Sequence, residues 1–145
     1  DQINEGVILV KHALGLPGFG AYTLQAAIAA VYAEAPSAGE TDWREIVGLY
    51  NVLRQIYPSP IVELNRAVAV AMRDGPAMGL ELIEALISQD QLVDYHFMYA
   101  AKADFHRKLG QCNEAVEAYQ HALQLTRQEP ERRFLQKRLT ELQNQ

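Results

Sequence analysis

The sequence predicts an all-α protein built from stacked antiparallel helical hairpins. Three observations carry that prediction. Apolar residues recur at helical spacing in window after window, no window alternates apolar and polar residues between hairpin turns, and breaks rich in Gly and Pro separate the helical windows at short intervals. Helices of about ten to sixteen residues joined by short turns read as a bundle or a helical-hairpin solenoid.

Composition sets the outer bounds. A chain of 145 residues that is 49% hydrophobic can bury a sizeable core as one helical domain. The net charge of −5 argues against this chain gripping nucleic acid by itself, because neutralising phosphates needs a basic surface. A single cysteine, Cys112, leaves no internal disulfide and suits a reducing cytoplasm, the expected location. The longest apolar run, Ala26 to Ala33, is far short of the roughly 18 residues a membrane helix needs, so no membrane contact is expected. The chain starts at Asp1 without Met and enters a helical pattern almost at once, as expected of a piece cut from something longer.

Taken in order, Ile3, Val7, Val10 and Leu14 mark the apolar face of an amphipathic helix that Gly15-Leu16-Pro17-Gly18 ends. Tyr22 to Ala35 is Ala-rich, and small residues at 26, 27, 29, 30 and 33 predict close approach of a neighbouring helix there. After the break at Ala35-Pro36-Ser37-Ala38-Gly39, Thr41 or Asp42 caps a helix. Its apolar face is Trp43, Ile46, Val47, Tyr50, Leu53 and Tyr57, and its wet face is Arg44, Asn51 and Gln55.

Ile61 to Asp74, IVELNRAVAVAMRD, is apolar nearly all the way round, which predicts a helix covered on all sides. Ser59 caps it, Pro60 suits its first turn, and Gly75-Pro76 stops it. Pro60 disfavours the α region at Ser59, so the preceding helix is expected to end near Tyr57. Glu63, Asn65 and Arg66 interrupt the apolar surface and need partners; a structural hydrogen-bond network is the favoured reading over a ligand or partner site. Asn65 or Arg66 is expected to bond across to the helix starting at Asp42 or to the one containing Gln25. Further helices follow over Met78 to Ile87, Asp94 to Leu109, Asn113 to Thr126 and Pro130 to Gln143.

The order Tyr99, Ala103, Gly110, Ala115, Tyr119, Ala122 matches tetratricopeptide spacing: large, small, turn, small, aromatic, small. Small residues sit where paired helices cross closely, and the aromatic fills the space toward the next repeat. Lys102 in place of the usual Leu, and a late Pro130, are departures. A degenerate copy runs through Leu64, Ala67, Val68 and Ala71 to Gly75, Gly79 and Ile83, its second half one residue early. A third, around Trp43, Ile46 and Tyr50, keeps only the first half. The predicted architecture is a tetratricopeptide-like superhelix closed by a polar capping helix, Pro130 to Gln143.

Catalytic chemistry is hard to find. His12, His96, His106 and His121 do not form the two-on-one-face arrangement with a nearby Glu that a zinc hydrolase uses. Glu117 and His121 read as a surface pair four residues apart. Cys112 reads as a packing residue at a turn rather than a nucleophile, and no Gly-rich loop follows a strand. In the tail, Glu129 and Glu131 precede Arg132, Arg133, Lys137 and Arg138, which suits the helix dipole and reads as a solvated face. The chain is therefore expected not to be an enzyme and to need no cofactor or metal.

Several strings occur together: Gly20-Ala21-Tyr22, Leu24-Gln25-Ala26-Ala27-Ile28-Ala29-Ala30-Val31, Thr41-Asp42-Trp43, Ser59-Pro60, Leu64-Asn65-Arg66-Ala67-Val68-Ala69-Val70, Gly75-Pro76, Gly79-Leu80, and Glu131-Arg132-Arg133-Phe134-Leu135. In that order they resemble the C-terminal extension of bacterial extracytoplasmic-function (ECF) RNA polymerase sigma factors that carry a tetratricopeptide-like domain after their DNA- and polymerase-binding regions. Essentially the whole chain is covered. The family often carries His where this chain has Tyr32, so that position is not expected to be an obligatory ligand.

The resemblance implies a regulatory or interaction module of a protein acting in transcription initiation, its partners being RNA polymerase, the sigma regions of the same parent chain, or a regulatory protein. It implies family-specific helices over 1–57 and tetratricopeptide-like hairpins plus cap over 58–145, with the sigma regions upstream and absent here. Gln25, Asp42, Trp43, Glu63, Asn65 and Arg66 form the candidate polar cluster, partner-binding or structural. A free-standing adaptor that captures a peptide or partner protein is the alternative, and a small-molecule sensor would need a closed pocket at the polar cluster.

Overall fold

Local chemistry sets most helix boundaries. The computed structural model describes residues 20–35 and 38–144, and among these every regular element is helical. The elements are α1 (Gly20–Glu34), a 3-10 turn (Ala38–Glu40), α2 (Trp43–Ile56), α3 (Pro60–Asp74), α4 (Pro76–Ser88), α5 (His96–Lys108), α6 (Cys112–Leu125) and α7 (Glu129–Gln143). The amphipathic segment expected over residues 3 to 14 lies outside the described residues. The chain divides into two compact units, Asp1–Ala69 and Val70–Gln145.

In the first unit, α1 packs against α2. Asp42 caps α2 by accepting the Glu45 amide at 3.1 Å, which satisfies one of the donors a helix start leaves open. The Ser59 hydroxyl accepts the Ile61 amide at 3.2 Å, with Pro60 as the first residue of α3. The core of this unit is Leu24, Ile28 and Val31 from α1, Ile46, Val47, Leu49 and Leu53 from α2, and Val62, Leu64, Ala67 and Ala69 from α3.

Three expectations fail here. Among the described residues most of the alanine stripe of α1 is left uncovered: Ala26, Ala29, Ala30 and Ala33 are exposed and Ala27 is half-buried, while α1 turns Leu24, Ile28 and Val31 inward, which buries more apolar area. Tyr57 is not on the buried face of α2, being just past the helix end and 53% exposed. The central helix is not covered all round, since Ile61 and Met72 stay exposed.

In the second unit, α4 packs on α5, α5 on α6 and α6 on α7, each helix against the next in sequence. Short turns reverse the chain between them, giving stacked antiparallel hairpins. Gly75, at φ +110°, is the sole residue between α3 and α4, whereas Leu109-Gly110-Gln111 separate α5 from α6. That shorter turn starts α4 at Pro76, ahead of the expected Met78, and accounts for the early second half of the degenerate copy. α5 likewise starts at His96, later than the expected Asp94.

The α5–α6 hairpin realises the repeat spacing. Ala103, Ala115, Tyr119 and Ala122 are fully buried and Tyr99 nearly so. Gly110 ends α5 at φ +76°, where a side chain would be strained, and the Gln111 amide donates to the His106 carbonyl at 2.9 Å. Asp90 takes the same role after α4 at φ 54°, with the Gln91 amide donating to the Leu86 carbonyl at 2.9 Å. α7 buries Leu135, Leu139 and Leu142 and leaves the rest of its surface largely polar, as expected of a cap.

Candidate functional site

The six candidate residues do not form one cluster. Asp42 is the N-cap of α2. The Trp43 ring meets Tyr32 edge-on, centroids 5.5 Å apart, tying the start of α2 to α1. Glu63 accepts from Arg54 Nε at 2.9 Å, an ion pair at the surface. Arg66 Nε donates to Asn51 Oδ1 at 2.6 Å, so the cross-helix bond expected of Asn65 or Arg66 is made by Arg66, to the helix that Asp42 starts. Asn51, read from periodicity as a wet-face residue, is half-buried by that bond.

Gln25 and Asn65 are brought together at a cavity of about 300 Å³ formed by α1, α2 and the start of α3. Ile28, Leu53 and Val62 make its floor, and these are all buried. Two tyrosines that periodicity did not single out as polar groups, Tyr32 and Tyr50, line the same cavity. Burial pushes both phenols above their usual range, Tyr50 up to about 12 with a further push from the neighbouring Tyr32. Both are neutral donors at pH 7. The missed signal is the spacing of Gln25 and Tyr32, seven residues and so two turns apart on one helix face.

The second unit carries a cleft of about 290 Å³ between α4, α5 and α6. Here Lys102 pairs with Glu84 at 3.1 Å, and His106 Nδ1 lies 2.7 Å from Gln111 Oε1. Lys102, the departure from repeat spacing, therefore serves a cross-helix ion pair. His121 does not use its ring as half of a surface pair with Glu117; it stacks on Tyr99, centroids 3.8 Å apart and planes 27° apart. Behind the cleft, the Tyr119 hydroxyl donates to Asp104 Oδ1 at 2.6 Å and accepts from Arg107 Nε at 3.3 Å.

Further along the unit, Arg132 is not part of a solvated face. Its Nη1 donates to the Leu123 and Thr126 carbonyls at 2.7 and 2.8 Å, closing the C-terminal end of α6. Glu131 accepts from Thr126 Oγ1 at 2.7 Å and lies 3.1 Å from His96 Nε2, so the cap is bonded to both α5 and the end of α6. Glu129 and Arg133 stay exposed, 3.7 Å apart. Among the described residues no three His, Cys, Asp or Glu side chains cluster as a metal site would require, and no helix is long and apolar enough to cross a membrane.

No protein-family model matches the chain, and no solved structure matches it. An uncharacterized protein of Rhizobium meliloti is 36% identical over 141 residues, a match that takes in 97% of this chain and 33% of the relative. The chain thus spans about a third of the length of that relative.

Proposed function

We propose that this chain is a regulatory, protein-interaction domain of an ECF-type RNA polymerase sigma factor, with no catalysis of its own. The observation that carries the reading is the ordered set of strings from Gly20-Ala21-Tyr22 to Glu131-Arg132-Arg133-Phe134-Leu135. Their positions in the fold are consistent with shared architecture: Thr41-Asp42-Trp43 starts α2, Leu64-Asn65-Arg66-Ala67 holds the cross-helix bond, and the last string anchors α7. Two thirds of the Rhizobium relative lies outside the match, which leaves room for further domains in a protein of that kind. In the cytoplasm of the parent cell, the domain would position the sigma regions or receive a signal through a partner protein.

The test is removal of residues 1–145 from the parent protein, followed by promoter-directed transcription with core RNA polymerase. Altered transcription from a soluble remainder is expected; unchanged transcription overturns the reading. The cleft of the second unit favours a second reading, an adaptor that captures a peptide. Lys102→Glu would then abolish partner capture and leave sigma-dependent transcription as it was.

A further inference from the structure

The cavity of the first unit has a chemistry that the sigma-factor reading does not use. Its volume, about 300 Å³, lies at the lower end of the roughly 300–1,000 Å³ typical of small-molecule sites. Among the described residues no charged side chain lines it. Its polar groups are two carboxamides, Gln25 and Asn65, and two phenols, Tyr32 and Tyr50, and among the described residues none of these four has a protein hydrogen-bond partner. Each carboxamide offers both a donor and an acceptor, and each phenol a donor.

Gln25, Ala29, Tyr32 and Ile61 leave the mouth of the space open to solvent, so an ion entering it would give up only part of its hydration, yet among the described lining residues it would meet no opposite charge. A neutral molecule carrying an amide-like head would pair with the carboxamides and lay its rings on Leu53 and the tyrosines. We infer that this cavity binds an uncharged small molecule of one or two fused rings whose amide-like head group is held by Gln25 and Asn65. The size of the space and the absence of charge argue for this class over a peptide side chain bearing a charge. This inference is independent of the parent protein's role in transcription.

Trp43, the single tryptophan, provides the readout, because its ring packs on Tyr32 at the cavity. The probe is dansylamide, neutral and two-ringed, with dansyl sulfonate as its anionic match. Titrated into the full chain, dansylamide is expected to quench Trp43 and gain sensitised emission in a saturable way, with the sulfonate at least about tenfold weaker. Ala29→Phe, at an exposed position on the cavity wall, should abolish the signal by filling the space. Asn65→Leu, which keeps the bulk and removes the amide, should weaken dansylamide by about tenfold. The inference is overturned by a dansylamide titration that shows no saturable transfer, by equal affinity for the sulfonate, or by an Ala29→Phe protein that binds as before with its helical circular dichroism intact. If Ala29→Phe does not fold, unchanged dansylamide affinity in Asn65→Leu overturns it instead.

Discussion

Alanine means opposite things in the two units. In the second, Ala103, Ala115 and Ala122 are fully buried where α5 and α6 cross, and they allow that crossing to be close. In the first, Ala26, Ala29, Ala30 and Ala33 face solvent while α1 meets α2 through Leu24, Ile28 and Val31. A small side chain allows close approach but contributes little burial of its own, so it does not decide which way a helix turns. The large residues decide that, and the alanines are buried only where they share a face with them.

The largest effect is expected from removing one of the large residues of α1. Leu24 is fully buried, and Leu24→Ala should cost about 2–5 kcal/mol in chemical denaturation. A loss under about 1 kcal/mol would mean that the alanine stripe, not Leu24, holds α1 in place. Next comes an addition of bulk to each kind of alanine. Ala103→Leu should overpack the α5–α6 crossing at a cost of about 1–3 kcal/mol, whereas Ala30→Leu should change stability by less than about 0.5 kcal/mol. Similar melting temperatures for the two variants would remove the distinction between the units.

The polar backing of the α5–α6 hairpin sharpens the contrast. Tyr119→Phe removes a hydroxyl bonded to both Asp104 and Arg107 and should cost about 1–2 kcal/mol at neutral pH. The pH dependence has a definite sign. Burial, then the bond to the Asp104 carboxylate, pushes the Tyr119 hydroxyl up to about 12 from 10.0, so the folded state holds the neutral form longer than the unfolded chain does. Its contribution is present below pH 10 and is lost as pH rises toward about 12. Denaturant midpoints measured across that window should fall less steeply in Tyr119→Phe than in the parent.

The smallest effects are expected at two helix-interior glycines. A Cβ on Gly79 in α4 would lie 2.6 Å from the Ala71 Cβ and 2.7 Å from a Phe105 ring carbon, so Gly79→Ala should destabilise by about 1 kcal/mol even after its gain in helix propensity. A Cβ on Gly48 in α2 meets nothing within 4 Å, and Gly48→Ala should stabilise by about 0.5–1 kcal/mol. Thermal melts of the pair should move in opposite directions.

Much of the fold was legible because it rests on short-range chemistry. Asp42 and Ser59 cap helices whatever lies beyond them, Gly75 and Gly110 take positive φ where L-residues are strained, and the Tyr99 to Ala122 spacing needs only its own hairpin to make sense. These are properties of a few consecutive turns and need no distant contact to be read. The candidate site was legible only in part: Gln25 and Asn65 share a cavity, while Asp42, Glu63 and Arg66 turned out to serve a cap, a surface ion pair and a cross-helix bond.

Tertiary structure alone decided the rest. It chose which alanines are covered, drew Asn51 from the wet face of α2 to Arg66, brought Tyr32 and Tyr50 to the cavity that Gln25 and Asn65 line, and turned Arg132 from a surface charge into the closure of α6. Each of those outcomes depends on a partner distant in sequence or on the next helix. Periodicity specifies which face of a helix is apolar, but the pairing of polar groups follows from where the neighbouring backbone runs.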